Sequence, residues 1–479
     1  MSLWKCICKQ PKLNLVVLFW QVVGAVCVTV NGLGNANLVS SIVKLDRSAV
    51  IFWLIVVLVA NISWGCQIKE NRIWTERAMQ AMDADIRLQI TTQLAATDYA
   101  TYHQTATATY VSWLTNDIAT INDYGFETLV LVIYQALIIT MSVGALIHFH
   151  YSLIVTVGVL LLLMSIVPQL FTKRMNQATL TMSQATEKFT SQMTDLLAGF
   201  DELLQLNQPI IIQRLTSKAT DKLAHAKINQ ARVDGTMMGT SNLVSLVSQV
   251  VVMGQACLLF FVKLVPVGAI SGAQYFAATI FANLTGLMAN LVEMKTVRPI
   301  FAKYQLPAVA DTLAPHLMTT EGKLQLTDLN YCYPANPQTS ILQRFSWQLQ
   351  FGKKYAVTGP SGCGKSTLLN IIAGRLATYT GQGSYDQQDY RQLSPAAIRQ
   401  EIVYLSQTPH IFSASLLFNI TLGQVVDAQR LNEALAFSGL KQMTTVFPAG
   451  VQTLIEQSGQ QLSGGQREQI ALARGYYLN

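Results

Sequence analysis

The sequence predicts a multi-domain chain: an all-α bundle of six membrane-spanning helices followed by a soluble α/β domain. Three observations carry this. Of 479 residues, 51% are hydrophobic and only 12% charged, against about a quarter charged in ordinary soluble domains. Six apolar stretches chosen as candidate spans contain no Asp, Glu, Lys or Arg, five of 17 to 20 residues and one of 29, and these lie before residue 293. Beyond them, short apolar runs alternate with turn residues, the rhythm of strands and helices around a sheet.

The six stretches are 13–30, 49–65, 129–147, 153–171, 243–262 and 264–292. Each is about long enough to cross a ~30 Å hydrocarbon core as a helix. Lys5, Lys9 and Lys12 crowd ahead of the first, as the positive-inside rule expects of a cytoplasmic N-terminus. A cleaved signal has an apolar core of only about 7–15 residues, so the longer 13–30 reads as a retained first helix. Six crossings return the chain to its starting side.

The connections alternate in length. Residues 31–48, 148–152 and the vicinity of Lys263 are short links, whereas 66–128 and 172–242 run to 63 and 71 residues and are polar with a helical rhythm. The two long loops share the N-terminal face of the membrane. Two antiparallel helices of about 28 residues each would project them roughly 40 Å beyond the bilayer. The expected domains are therefore 1–303 in the membrane, a Pro-containing linker over 304–321, and 322–479 as the soluble domain, with strands at 323–329, 341–349 and 354–357.

The seven cysteines, Cys6, Cys8, Cys27, Cys66, Cys257, Cys332 and Cys363, are odd in number and several sit in or beside apolar segments, which suggests no disulfide framework. Cys6 and Cys8 flank a single isoleucine; lipidation or metal binding is open there, but no further Cys or His lies nearby, and incidental thiols are the simpler reading.

Gly359-Pro360-Ser361-Gly362-Cys363-Gly364-Lys365-Ser366 fits the P-loop pattern, with Thr367 behind it, between strand-like Tyr355-Ala356-Val357 and a helix-like run. Its glycines let consecutive backbone N–H groups turn inward around phosphate, and the helix N-terminus adds partial positive charge. Lys365 is placed for the β/γ-phosphates and the Ser366 hydroxyl for Mg²⁺. The soluble part is thus a P-loop NTPase domain, and both termini belong in the cytoplasm.

Leu462-Ser463-Gly464-Gly465-Gln466 follows 97 residues after Lys365 and resembles the signature motif of ABC ATPases. Physically it is a second phosphate nest, backbone donors ahead of a helix. The resemblance implies that Ser463, Gly464, Gly465 and Gln466 serve the nucleotide of a facing subunit, so that the working unit is a homodimer or a heterodimer with a second half-transporter. Tyr333, 26 residues before Gly359, matches the family's adenine-stacking aromatic, a strand-edge tyrosine being its plain alternative. Gln407, after Ile402-Val403-Tyr404-Leu405-Ser406, matches the Q-loop amide that reaches Mg²⁺ and the attacking water. Segments 83–126 and 191–207 resemble the two cytoplasmic loops of exporter-type members, whose short coupling helices rest on the ATPase domains.

The family continues into a Walker B aspartate, a catalytic glutamate and a switch histidine, whereas this chain ends at Tyr476-Tyr477-Leu478-Asn479. The expectation is an incomplete α/β domain, cut before Walker B, with no catalytic residue beyond Gln407, that grips ATP and Mg²⁺ but has little turnover alone. A fragment or frameshifted product is favoured over a non-hydrolysing subunit that pairs with a complete partner. The overall reading is an ATP-driven exporter subunit working by alternating access, in a bacterial plasma membrane, with the lipid bilayer and no nucleic acid as partner. Its substrate is unreadable. Almost no ionisable residue interrupts the spans, which fits an apolar or amphipathic cargo, but Gln21, Asn31, Gln135, Gln249, Gln255, Gln274, Asn283 and Asn290 are equally suited to lining a hydrophilic route or to bonding between helices.

Overall fold

The computed structural model describes residues 3–304, 323–333, 338–386, 388–393, 395–447, 449–456, 459 and 461–478. The expected linker 304–321 falls almost wholly outside them. The chain divides into two units, 1–92 with 107–306, and 93–106 with 307–479.

The first unit is helical. A short α1 (Leu3–Lys9) leads into α2 (Pro11–Val43), started by Pro11 at its first turn, where a missing N–H costs nothing. The link to α3 (Arg47–Ala95) is only Lys44, Leu45 and Asp46, shorter than the 31–48 expected, because the helix persists well past the apolar stretch. α3 is 49 residues long, about 74 Å at 1.5 Å per residue, so one continuous helix forms both a span and a limb of the first long loop. Beyond α4 (Tyr99–Tyr102), which belongs to the second unit, come α5 (Thr107–Leu114), α6 (Asn116–Ile121) and a π-helical turn (Asn122–Glu127) that runs directly into α7 (Thr128–Phe149). The second long loop is built alike: α8 (Tyr151–Ala198) and α10 (Ile210–Phe261), 48 and 52 residues, are joined by α9 (Phe200–Gln205). The sixth span is α11 (Gly268–Glu293), which starts four residues later than the uncharged stretch because Lys263 takes a positive φ of 63° and Pro266 precedes the helix. α12 (Arg298–Lys303) follows. Among the described residues, six helices are long and apolar enough to cross a membrane.

The core of this unit gathers Leu146, Leu153, Val252, Phe276, Ile280 and Phe281 from α7, α8, α10 and α11. In lipid, packing and interhelical hydrogen bonds hold helices together rather than exclusion of water. Side-chain amides supply such bonds. Gln21 on α2 donates to the Val130 carbonyl of α7 at 2.9 Å, Asn290 on α11 donates to Gln135 of α7 at 3.1 Å, Gln255 donates to Ser152 at 3.1 Å, and Asn31 meets Asn61 at 2.6 Å. Gln249 and Asn283 bond within their own helices instead. At Gly268 the backbones of α2 and α11 meet: a Cβ there would lie 1.8 Å from the Ala36 carbonyl oxygen, and the Gly268 N–H donates to Ser40 Oγ at 3.1 Å.

The first-loop residues Trp113 and Asp117 stay within this unit, Trp113 packed edge-on to Tyr304 and Asp117 accepting from Lys303 at 3.2 Å. The part of that loop that clusters with the soluble residues is 93–106.

The second unit contains β1 (Leu324–Cys332), β2 (Ser340–Leu349), α13 (Lys365–Ile372), β3 (Thr380–Tyr385), β4 (Gln388–Asp389), α14 (Pro395–Glu401), α15 (Leu416–Thr421), α16 (Ala428–Phe437), α17 (Lys441–Val446) and α18 (Gly464–Leu478). The strands form one antiparallel sheet, in the order β2-β1-β3-β4, with Leu326 opposite Trp347 and Leu324 opposite Tyr385. Leu324, Leu326 and Leu329 pack against Leu368 and Ile371 of α13. A second cluster joins α15, α16 and α18 through Ile420, Leu431, Leu435 and Ile470.

Two of the three expected strands are present, but 354–357 is not one of them. That segment and 402–406 carry no regular secondary structure and no strand is paired to them among the described residues. A strand needs a neighbouring backbone for its alternate N–H and C=O groups, and apolar side chains here remain partly open: Val357 is 36%, Val403 44% and Leu405 45% exposed. The sheet among the described residues is antiparallel throughout.

Candidate nucleotide-binding site

The P-loop turns between 354–357 and α13. Gly364 precedes the helix with φ 93°, a conformation open to glycine and strained for other residues. A Cβ there would also press on Ile341 and Leu342 at 3.0 Å. The turn lets α13 begin at Lys365 with the first-turn N–H groups facing the loop. The Lys365 ammonium is folded over that loop, donating to the carbonyls of Gly359 and Pro360, both at 2.8 Å, with the Cys363 sulfur 3.9 Å away. A cation held by two surface carbonyls is readily exchanged onto phosphate oxygens, which are stronger acceptors. Thr367 is buried, and the Tyr333 hydroxyl lies 3.1 Å from its Oγ1. Tyr333 itself stands edge-on to Tyr331 at 5.1 Å and is 40% exposed. Tyr333 thus directly follows the end of β1, with its hydroxyl at the first turn of the P-loop helix.

Gln407 and the signature residues come together elsewhere in the unit. Gln407, Ser463, Gly465 and Gln466 line one groove of about 720 Å³. Gly464 and Gly465 have open space where a Cβ would stand, and as the first residues of α18 they carry N–H groups without an intrahelical acceptor. Ser463 does more than the nest reading required. Its Oγ accepts from the Gln466 N–H at 3.2 Å, while Gln466 Oε1 accepts from the Ser463 N–H at 2.8 Å. This is a reciprocal capping box. Its signature, Ser-x-x-Gln, was already legible in Ser463–Gln466. The box fixes the start of α18 and so the direction in which the two glycine amides point.

Ser366 and Gln407 both offer oxygen, the donor type that Mg²⁺ prefers. Both are exposed, and neither side chain has a hydrogen-bond partner among the described residues. Each side chain suits the ion by its donor chemistry, with Ser366 at the P-loop and Gln407 in the groove of the signature residues.

Arg474, on α18, was not anticipated. Its Nε donates to the Asn419 carbonyl at 2.7 Å, one terminal nitrogen to Asn419 Oδ1 at 3.2 Å and the other to the His410 carbonyl at 3.1 Å. Asn419 is fully buried and also clasps Phe412, donating to its carbonyl and accepting from its N–H. The signature helix is thereby bolted to the segment that follows Gln407. Burial pulls the Arg474 guanidinium below its usual pKa, because desolvation disfavours charge; three carbonyl acceptors keep it in place. No local pattern marks such a residue; an arginine on an otherwise apolar helix face near a motif is the available signal.

Comparison with known proteins agrees with this architecture. Residues 15–305 match the family model described as ABC transporter transmembrane region, and 342–479 match that described as ABC transporter. The chain is 36% identical over 165 residues to the mouse ATP-binding cassette sub-family B member 10, mitochondrial, covering 34% of this chain and 23% of that protein. It is 34% identical over 158 residues to an ATP-dependent lipid A-core flippase of Polaromonas sp., covering 33% and 27%, and 28% identical over 272 residues to the flippase of that name in Coxiella burnetii, covering 54% and 46%. The chain therefore spans less than half the length of these curated relatives. Its fold is similar to the structure of a bacterial Atm1-family ABC exporter with ATP bound, with a TM-score of 0.82 at 15% identity, covering 98% of this chain and 84% of that one.

Proposed function

This chain belongs to the ABC transporter family, as a six-helix half-transporter with its ATP-binding domain, and from that premise we propose that it is the ATP-binding and permease subunit of an exporter. Two copies, or this chain and a second half-transporter, close on two nucleotides, and the long helical loops convert closure into alternation between inward- and outward-facing membrane bundles. Tyr333 stacks on adenine, Gly359 to Thr367 cradle the phosphates, and Ser463 to Gln466 address the partner's nucleotide. Mg²⁺, when bound, neutralises phosphate charge, and Ser366 and Gln407 are its candidate oxygen donors. The termini are cytoplasmic.

The observation that best supports this reading is Lys365 folded over its loop at the start of α13, with Tyr333 hydrogen-bonded to Thr367. The test is equilibrium binding of a fluorescent ATP analogue to the detergent-purified chain. Charge-assisted hydrogen bonds contribute about 1.5–3 kcal/mol each, so Lys365→Ala should weaken binding roughly 10- to 100-fold. Tyr333→Phe keeps the ring and should bind nearly as well as the parent, while Tyr333→Ala should not. Equal affinity for parent and Lys365→Ala would refute the P-loop assignment.

A further inference from the structure

Residues 93–106 are bounded on both sides by residues of the membrane unit yet cluster with the soluble one. At their centre lies α4, started by Asp98, whose carboxylate accepts from the Thr101 N–H at 2.8 Å. The Tyr99 ring lies against His103, centroids 4.0 Å apart, and His103 Nδ1 is 2.9 Å from the Tyr99 carbonyl oxygen. This small aromatic knob meets Arg375. The Arg375 guanidinium carbon lies 5.0 Å from the Tyr99 ring centroid and 4.0 Å from that of Tyr404.

Arg375 sits where two functional segments diverge. It is three residues past the end of α13, the helix that Lys365 begins, and its N–H and one guanidinium nitrogen return to Asn370 of that helix at 2.9 Å and 3.4 Å. Tyr404 is three residues before Gln407. In 402–406 the side chains alternate, Ile402 and Tyr404 half-buried toward the domain while Val403 and Leu405 are exposed, so Tyr404 faces inward by the period of an extended chain. Among the described residues no carboxylate pairs with Arg375; two π faces answer its charge, an arrangement favoured when the cation is partly desolvated. One guanidinium is thus shared by the exit of the P-loop helix, the approach to Gln407 and the loop that the membrane helices carry.

We propose that Arg375 is the positioning residue that carries nucleotide occupancy at the P-loop to 93–106, through its paired cation–π contacts with Tyr404 and Tyr99. The proposal rests on the nucleotide-binding reading above. A shift of α13 or of 402–407 on binding moves Arg375, and Tyr99 follows because it shares that cation. A lysine keeps the charge but lacks the planar face that stacks on two rings; leucine removes the charge altogether.

The test is hydrogen exchange on the full chain in lipid nanodiscs, with and without Mg·ATP. In the parent, ATP should slow exchange across both 359–372 and 93–106. Arg375→Leu should retain protection at 359–372, with ATP affinity within about threefold of the parent, and lose it at 93–106. Arg375→Lys should regain part of it. Tyr99→Phe and Tyr404→Phe should match the parent, and Tyr99→Leu should reproduce Arg375→Leu; should Arg375→Leu fail to fold, judged by exchange in α16, Tyr99→Leu carries the same test. Parent-like protection of 93–106 in the folded leucine variants overturns the proposal, as does ATP protection of 359–372 in the parent that leaves 93–106 unchanged. If ATP protects neither segment of the parent, the nucleotide-binding reading itself fails and the bridge falls with it.

Discussion

Arg474→Met offers a quantitative test of how the signature helix is held. The substitution keeps the aliphatic stem but removes three hydrogen bonds, two to Asn419 and one to the His410 carbonyl. Bonds from a charged donor contribute about 1.5–3 kcal/mol each before desolvation is subtracted. Here the subtraction is real, since burial alone draws the guanidinium below its usual pKa. Against that gain, the variant leaves the carbonyl of the fully buried Asn419 without its arginine donor, a loss of about 1–3 kcal/mol. A net local destabilisation of roughly 3 kcal/mol follows, equivalent to about a hundredfold faster opening. Amide exchange of α15 and of the N-terminal half of α18 should quicken by that factor, with the amides of α13 unaffected. Arg474→Lys, able to reach one acceptor at a time, should fall between. A change below about threefold in α15 would show that Asn419 holds this junction alone and that the arginine is incidental.

Three further outcomes are expected. Ser463→Ala breaks the capping box and should cost about 1 kcal/mol, read as roughly fivefold faster exchange at the start of α18; Ser463→Thr should behave like the parent. Gly268→Val forces a side chain onto the Ala36 carbonyl and should destabilise the packing of α2 against α11 by about 1–3 kcal/mol, measured by detergent-induced unfolding; parent stability would show that the two helices do not meet there. The Arg391 guanidinium, with its own backbone N–H, holds the Asp389 carboxyl below its usual range. A depressed folded pKa stabilises above the unfolded value near 3.9 and is lost as pH falls through the folded one. Exchange at 390–392 should therefore rise as pH drops below about 4, beyond the intrinsic trend, and Asp389→Asn should remove that acid sensitivity.

Legibility followed the physics of each feature. The spans were readable because excluding charge from hydrocarbon is a local demand on consecutive residues, and each uncharged stretch falls wholly or mostly within a long helix, 264–267 and 262 lying outside. The P-loop was readable because a phosphate nest is built from adjacent backbone groups and needs glycines at fixed spacing. Helix ends were less so: α2 and α3 run far beyond their apolar cores, since polar residues such as Glu70, Arg72 and Arg87 sustain a helix as well as leucine does.

The amides show the limit most clearly. From the sequence, Gln21, Gln135, Gln255 and Asn290 were suited equally to a polar route or to interhelical bonding, and only their partners, Val130, Ser152 and each other, decide for the latter. Strand pairing at 354–357 was unreadable for the same reason, because a strand is defined by its neighbour and not by its own residues. The sequence by itself determined that six long apolar helices come first and the smaller domain follows. Tertiary structure alone decided that Tyr333 reaches Thr367, that Arg474 pins Asn419, and that Arg375 lies between Tyr99 and Tyr404, contacts that join positions 34, 55, 276 and 29 residues apart. No local pattern encodes them, because each depends on how separate elements pack.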